Sequence, residues 1–347
     1  MISRGPSNSP YIVSPIYDWV FFLLPPLFCL ALGMLLSLSH LSETPLIVAG
    51  ASTTVVSLLL GVVVHAHLGA VLFRSHGNPE VFRLHPLRFL LVPVLIWIAI
   101  VSSAWIAVAA TVVATFWDVW HSGAQTFGFG RFYDRNLGLD AHKTRRLDFW
   151  LNQLLYAGPI LAGVTLKDHL GELENFSEVG TAFFAAIPAY VESRQRYLTW
   201  GILIFGTLFL LYYVYAHWRL WRRGHRISFH KMYLLVSTGF CSIYSWAFNT
   251  WGEAFFIMNL FHAVQYLALM WATEGGRIST LLRASPGRSG SYLALGAFLG
   301  LTLSYGFFAE VLSEKLDMLW AFTIVVSLMH FWYDGFIWSV RKAQVTS

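Results

Sequence analysis

Four histidines lie within apolar stretches that are long enough to cross a lipid bilayer: His67, His121, His262 and His330. Ionisable side chains are costly inside a bilayer and generally mark a ligand site, a proton relay or an ion path. The neutral imidazole ring is also the commonest protein ligand of metals. The four histidines therefore predict a metal or cofactor centre inside the membrane, with each imidazole as a candidate ligand.

Polar side chains accompany three of these histidines at helical spacing, and residues three or four positions apart share one helix face. The companions are Asp118 and Gln125 beside His121, Asn259 and Gln265 beside His262, and Asp334 beside His330. We expect Asp118 and Asp334 to take part in catalysis, either as metal ligands or by accepting a hydrogen bond from a metal-bound imidazole. We expect the amides of Gln125, Gln265 and Asn259 to contact the cofactor.

A purely structural role for these histidines is the main alternative. One histidine in a membrane helix more commonly donates a hydrogen bond between packed helices than binds a metal. Four histidines at a similar depth favour a shared site over four separate packing contacts. His65 lies two positions from His67, on another side of the helix. An exchange of roles between the two stays open.

Composition places the chain among polytopic membrane proteins of the all-α class. Hydrophobic residues make up 56% of the 347 residues and charged residues only 12%, with a mean hydropathy of +0.59. A soluble domain carries about 25% charged residues. We interpret residues 1–347 as one transmembrane domain without a cleavable signal peptide. The net charge of +5 is spread over several short loops, so nucleic acid is not an expected partner.

Apolar length predicts ten membrane helices, because about 20 helical residues cross the hydrocarbon core. They cover residues 17–38, 45–73, 88–102, 104–131, 146–167, 199–220, 229–248, 252–273, 292–312 and 317–340. Pro25 and Pro26 predict a kink in the first helix. Residues 1–16 form a polar N-terminal segment, and residues 167–198 form the longest loop. Within that loop, residues 181–191 are too few to span and are expected at the membrane interface.

Basic residues support this topology. With ten helices, both termini and the even-numbered connections share one side of the membrane. All 23 Lys and Arg residues fall on that side except four: Lys167, Arg194, Arg196 and Lys315. Basic loops stay in the cytoplasm, so we expect both termini to be cytoplasmic and residues 167–198 to lie outside. We expect the chain in the inner membrane of a bacterium.

The same topology brings the four histidines to one side of the bilayer. They occur on the second, fourth, eighth and tenth predicted helices, which all run towards the cytoplasm. Seven to fifteen residues separate each histidine from the next arginine. At about 1.5 Å per helical residue, the rings lie roughly 10–20 Å from the cytoplasmic helix ends. A common layer of imidazoles follows from this spacing.

Short segments around three histidines resemble a known membrane family. They are residues 67–70 (HLGA), 121–124 (HSGA) and 330–334 (HFWYD). They are similar to segments of the bacterial Brp/Blh-type β-carotene dioxygenases, which spread single membrane histidines over several helices. The resemblance implies a non-haem iron oxygenase with a lipid-soluble substrate, and it assigns no catalytic residue. Fatty-acid desaturases and hydroxylases differ, because their paired-histidine boxes are missing from this chain.

These features predict an integral-membrane metalloenzyme, an iron oxygenase or desaturase with one or two non-haem iron ions. Copper, manganese and zinc are alternative ions, because all accept imidazole and carboxylate ligands. The expected partners are membrane lipid, a hydrophobic small-molecule substrate and an electron donor. Two other classes stay open: a haem-binding or quinone-linked electron-transfer protein, and a non-catalytic accessory subunit or transporter.

Overall fold

The computed structural model describes residues 9–39, 44–285 and 287–338. The fold is all-α, as predicted, with one short hairpin of strands β1 (Pro45–Val48) and β2 (Ala51–Thr54). The hairpin turns through Ala49 and Gly50, whose φ angles are 50° and 83°. Two central residues with positive φ match the right-handed twist of paired strands. The turn brings Val48 opposite Ala51 in the antiparallel ladder.

Ten longer helices in the described residues correspond one to one to the ten predicted segments. They are α1 (Pro25–Ser37), α2 (Val55–Ser75), α3 (Pro86–Ser102), α4 (Ala104–Asn136), α5 (Ala141–Ala162), α6 (Gln195–Arg222), α7 (Phe229–Phe248), α8 (Trp251–Leu281), α9 (Arg288–Leu312) and α10 (Asp317–Ile337). Shorter helical turns comprise Pro15–Asp18, Trp19–Leu23, Pro79–Leu84, Leu166–Gly171, Glu172–Ser177, Ala182–Ala185, Ile187–Glu192 and Ser313–Lys315.

Several predicted boundaries are confirmed. The helix at 229–248 is found with the predicted bounds. The break between α3 and α4 falls at Ser103, whose φ of −149° and ψ of 115° are extended. The prolines at 25 and 26 coincide with a 47° bend between the turn that ends at Leu23 and helix α1. Proline removes a backbone donor and crowds the preceding turn, so a bend there is expected.

One boundary prediction is wrong. The second helix does not begin at residue 45, because residues 45–54 form the hairpin; β-branched Ile47, Val48, Thr53 and Thr54 suit strands. The segment 167–198, predicted as the longest loop with an interfacial stretch at 181–191, contains several short helical turns. The turn Leu166–Gly171 is positioned by Gly163, where a Cβ would lie 2.3 Å from Ala247 Cα. The chain bends by 89° at this point.

Six helices of the described residues are long and apolar enough to cross a membrane, namely α2, α4, α6, α8, α9 and α10. The number rises to eight if the bent pairs Pro15–Leu23 with α1, and His142–Ala162 with Leu166–Ser177, each count as one span. Helix α6 exposes large apolar side chains such as Phe205 and Leu211, as a lipid-facing helix would. These helices are compatible with an integral membrane protein.

Contacts divide the chain into two compact units. The described parts of the first unit are residues 32–39, 44–110, 259–285 and 287–338, and those of the second are residues 9–31 and 111–258. The boundaries fall within helices α1, α4 and α8. Dense contacts do not by themselves define an independent domain, so the prediction of one membrane domain stays a prediction.

Close helix packing holds the first unit together. Helix α2 packs against α9, and it also contacts α10. Gly69 of α2 leaves space for the ring of Tyr305, and Gly306 of α9 lies against the backbone of Val62. Small residues let membrane helices approach closely, where van der Waals contact is the main stabilising force. This contact fixes the depth and rotation of the helix that carries His67.

The second unit is organised around α5, which packs against α6 and α7. Leu151, Tyr213 and Leu235, one from each helix, form a buried cluster. Cys29 and Cys241 are buried free thiols in this unit, and the Cys241 thiol donates to the Pro26 carbonyl.

Candidate metal centre

Three of the four predicted imidazoles meet inside the first unit. His67 of α2, His262 of α8 and His330 of α10 are 0–1% exposed. One ring nitrogen from each histidine lies within 4.8 Å of the other two. Ligand nitrogens about 2.0–2.1 Å from a shared ion are roughly 3 Å apart. Small side-chain rotations would therefore bring all three rings onto one ion.

His67 occupies the middle of this group. Its ring centroid lies 5.1 Å from that of His262 and 5.1 Å from that of His330, with interplanar angles of 85° and 83°. Among the described residues, neither ring nitrogen of His67 has a hydrogen-bond partner of good geometry. A buried polar group without a partner costs about 1–3 kcal/mol. A bound metal ion would satisfy one of these nitrogens, which is the fit expected of a ligand.

Asp334 lies beside the histidines and is itself firmly held. One of its oxygens, Oδ1, accepts hydrogen bonds from the Tyr266 hydroxyl and the Trp338 indole N–H, each at 2.9 Å. Its other oxygen, Oδ2, lies 3.8 Å from His330 Nε2. The carboxylate therefore faces the imidazole with its position fixed by α8 and α10. This arrangement suits the orienting role that was one of the two predicted for Asp334.

Tyr266 is a site residue that sequence reasoning missed. It lies four residues after His262, so it projects from the same face of α8. Its ring centroid is 4.5 Å from that of His330 and 6.0 Å from that of His67. Helical spacing from His262 was the available signal. The ring closes one side of the histidine cluster and carries the hydroxyl that holds Asp334.

A buried ion pair lies next to these residues, and its importance was also missed. Arg74 Nη1 contacts Glu274 Oε1 at 2.6 Å, and the guanidinium stacks over the Trp338 ring at 4.4 Å. Asn78 donates to both Glu274 oxygens. Neither charge is exposed, and a buried pair is tolerated only when further hydrogen bonds satisfy it. The pair connects α2 and α8 directly beside the indole that holds Asp334.

His65 points to a different neighbour. Its Nδ1 lies 3.0 Å from the Gly61 carbonyl and 3.3 Å from Glu310 Oε2. A Cβ at position 61 would overlap the Glu310 carboxyl group, so glycine makes this approach possible. The structure thus places His67, and not His65, with the other two histidines.

Asn259 and Gln265 are buried on α8, three residues before and after His262. Their spacing puts them on the side of α8 that carries the histidine. Their role as cofactor-binding residues stays a prediction.

The remaining predicted residues belong to the second unit. His121 is buried on α4, and its companions Asp118 and Gln125 are partly buried on the same helix. Their contribution as metal ligand, catalytic carboxylate and cofactor-binding amide stays a prediction.

No protein-family model matches this chain, and no curated protein or solved structure is significantly similar to it. The function of the three-histidine cluster must therefore be argued from its own chemistry.

Proposed function

We propose that this chain is an integral-membrane metalloenzyme, a non-haem iron oxygenase or desaturase that acts on a lipid-soluble substrate. The observation that supports it most strongly is the approach of three buried imidazoles from three separate helices to within 4.8 Å. Neutral imidazole nitrogens suit iron, copper or zinc, and a nearby carboxylate extends the choice towards iron and manganese. The likeness of the histidine segments to the Brp/Blh-type dioxygenases favours iron among these ions.

His67, His262 and His330 would hold the ion in this proposal. Three protein ligands leave coordination positions open, and iron bound in this way can activate dioxygen. Asp334 would keep the His330 ring in its ligating orientation, while Tyr266 and Trp338 fix the carboxylate. Gln265 and Asn259 are proposed as residues that contact the bound group.

Burial among apolar helices favours a hydrophobic substrate. Aromatic side chains line the helices at the cluster, including Tyr266 and Phe331. Such walls exclude water and present an apolar surface to a ligand that enters from lipid. An electron donor is part of the proposal for a monooxygenase or desaturase, because these enzymes reduce oxygen to water with external reducing equivalents; a dioxygenase, which places both oxygen atoms in its product, needs none.

The proposed topology has ten spans and cytoplasmic termini in a bacterial inner membrane. Helices α3 and α7 would be the two spans beyond the eight that length and hydropathy support. Helix α3 has 17 residues, about 25 Å of helix, which would cross a thin or locally compressed bilayer. The asymmetric distribution of Lys and Arg supports this arrangement.

The spacing of the rings favours a compact ion over haem. Axial ligation of haem by two histidines puts the rings on opposite faces of the macrocycle. Here one ring nitrogen from each of three imidazoles lies within 4.8 Å of the other two, and the Tyr266 ring packs against two of these imidazoles. A single ion surrounded by nitrogen ligands fits this geometry better than a planar macrocycle.

Metal content and the optical spectrum of the purified protein test the proposal together. We expect stoichiometric iron without a Soret band in the wild type, loss of that iron in His67→Ala, and retention in His65→Ala. The His65 variant is the matched control, since it removes an imidazole from the same helix two positions away. A metal-free protein that retains its native fold and its activity would refute the proposal. A Soret band would decide for a haem protein instead.

A further inference from the structure

The second unit contains a cavity that the metal centre does not use. It has a volume of about 370 Å³ and lies where the C-terminal ends of α4 and α6 meet the N-terminal ends of α5 and α7. Ligand-binding pockets generally measure about 300–1,000 Å³. The cavity is therefore large enough for a small organic ligand.

The floor of the cavity, formed by Lys231 and Asp134, belongs to a buried and balanced set of charges. Lys231 Nζ lies 3.0 Å from Asp134 Oδ2 and 3.0 Å from Asp148 Oδ2. Arg131 contacts Asp134 at 3.1 Å, and the Tyr213 hydroxyl donates to Asp148. Two carboxylates thus face two fixed cations. The ammonium of Lys231 already occupies the position between the carboxylates, so the floor has no place for a metal cation.

The mouth of the cavity is basic. Lys143 Nζ and His225 Nε2 lie 3.1 Å apart, and Arg226 follows His225 in the chain. Lys143 is 3.8 Å from Asp140, a half-exposed pair of the kind that contributes little binding energy. Among the described residues, Arg226 has no ion-pair partner. Because the charges of the floor cancel, the basic residues at the mouth give the cavity a net positive charge.

A buried nitrogen at this cavity also lacks a partner. His217 lines the cavity and is 5% exposed. Its Nδ1 lies 3.0 Å from the Tyr213 carbonyl, whereas its Nε2 has no hydrogen-bond partner among the described residues. Asp148 Oδ1 is 3.6 Å away, beyond the length of a good hydrogen bond. Because Nδ1 donates to the Tyr213 carbonyl, the neutral ring presents Nε2 as an acceptor. A hydroxyl of a ligand would satisfy this nitrogen.

We propose that this cavity binds a phosphate ester, with the phosphate at Lys143, His225 and Arg226 and the organic part directed towards His217. Arginine and lysine are the residues that most often hold phosphate. The ligand can come from either of two sources, a soluble phosphate ester or the head group of an anionic phospholipid. Exposed Trp218 and Trp221 on the same end of α6 suit the level of lipid head groups.

Binding to the full-length protein tests this site. The variant is Lys143→Gln/Arg226→Gln, and the matched control is Arg145→Gln/Arg223→Gln, which removes two charges from the same helix ends outside the cavity. Titration calorimetry with glycerol 1-phosphate in detergent measures the affinity for a soluble phosphate ester. Native mass spectrometry after reconstitution with phosphatidylglycerol or phosphatidylcholine measures how much of each lipid the protein retains.

We expect the cavity variant to bind one of the two probes at least tenfold more weakly, and the control to bind it like the wild type. If only the affinity for glycerol 1-phosphate falls, the ligand is soluble. If only the retention of phosphatidylglycerol falls, the ligand is a lipid head group. The proposal is overturned if the wild type binds neither probe. It is equally overturned if the cavity variant and the control bind both probes alike, because any attraction would then be a general effect of surface charge.

Discussion

At the scale of single residues, the proposed metal centre depends on imidazoles whose positions are set by their neighbours. His330 faces Asp334, and Asp334 is held by Tyr266 and Trp338. The histidines were predictable, because an imidazole in an apolar segment is conspicuous in the sequence. The partners of Asp334 were not, because which aromatic side chain reaches it depends on the rotation of α8 against α10, and no local pattern encodes that angle.

Replacement of Asp334 by asparagine tests the orienting role. The amide oxygen of the variant can still accept from Tyr266 and Trp338, so packing is preserved while the charge beside His330 is lost. Removing such a partner typically lowers metal affinity by about 10- to 100-fold. We expect a loss of this size in competition with a chelator. Asp317→Asn, at the exposed first turn of α10, serves as control. Equal affinities in both variants would exclude an orienting role.

At the scale of elements, the site depends on how closely helices pack. Helices α2 and α9 touch through glycines, and Arg74 with Glu274 joins α2 to α8. Apolar length was enough to predict where ten helices lie. It failed at residues 45–54, where an apolar run is equally consistent with a strand and the positive φ angles of Ala49 and Gly50 fix a hairpin. It also gave no indication of the short helical turns within 167–198.

Substitution at Gly306 tests the packing of α2. A Cβ at this position would lie 2.1 Å from the Val62 carbonyl oxygen and 3.0 Å from Ala66 N, so α2 must move and carry His67 with it. Overpacking of this kind costs about 1–3 kcal/mol. We expect Gly306→Ala to lower both the melting temperature and the metal occupancy.

Gly300→Ala on the same helix is the matched control for Gly306. A Cβ there meets nothing within 4 Å among the described residues, and alanine is the better helix former. We expect an unchanged or slightly raised melting temperature and full metal occupancy. Equal behaviour of the two variants would mean that the α2–α9 contact does not position His67.

At the scale of the whole molecule, the proposed function requires an all-α membrane protein with a defined orientation. The deficit of charge and the apolar segments indicated this class. The number of spans is harder to derive, because a 17-residue helix such as α3 or a bent pair can cross a bilayer or stop within it. Hydropathy measures only composition and does not record where the lipid lies.

Thiol labelling tests the proposed orientation. Arg145→Cys and Glu178→Cys place exposed reporters at the start of α5 and in the 167–198 segment, while Cys29 and Cys241 are buried. In intact cells, we expect a membrane-impermeant maleimide to label the reporter at 178 and not the one at 145. In permeabilised cells, we expect the maleimide to label both reporters. Labelling of the two positions from the same side would contradict the ten-span topology.

X-ray absorption at the metal edge of the purified protein is the sharpest test of the metal centre, since it counts the imidazoles around the ion. We expect at least three nitrogen neighbours at about 2.0–2.2 Å, with the multiple scattering of imidazole rings. Each single replacement should either remove the ion or reduce the number of imidazole rings in the signal by one; the variants are His67→Ala, His262→Ala and His330→Ala. A bound ion without imidazole neighbours, or a signal unchanged in all three variants, would contradict the claim that these helices build one metal centre.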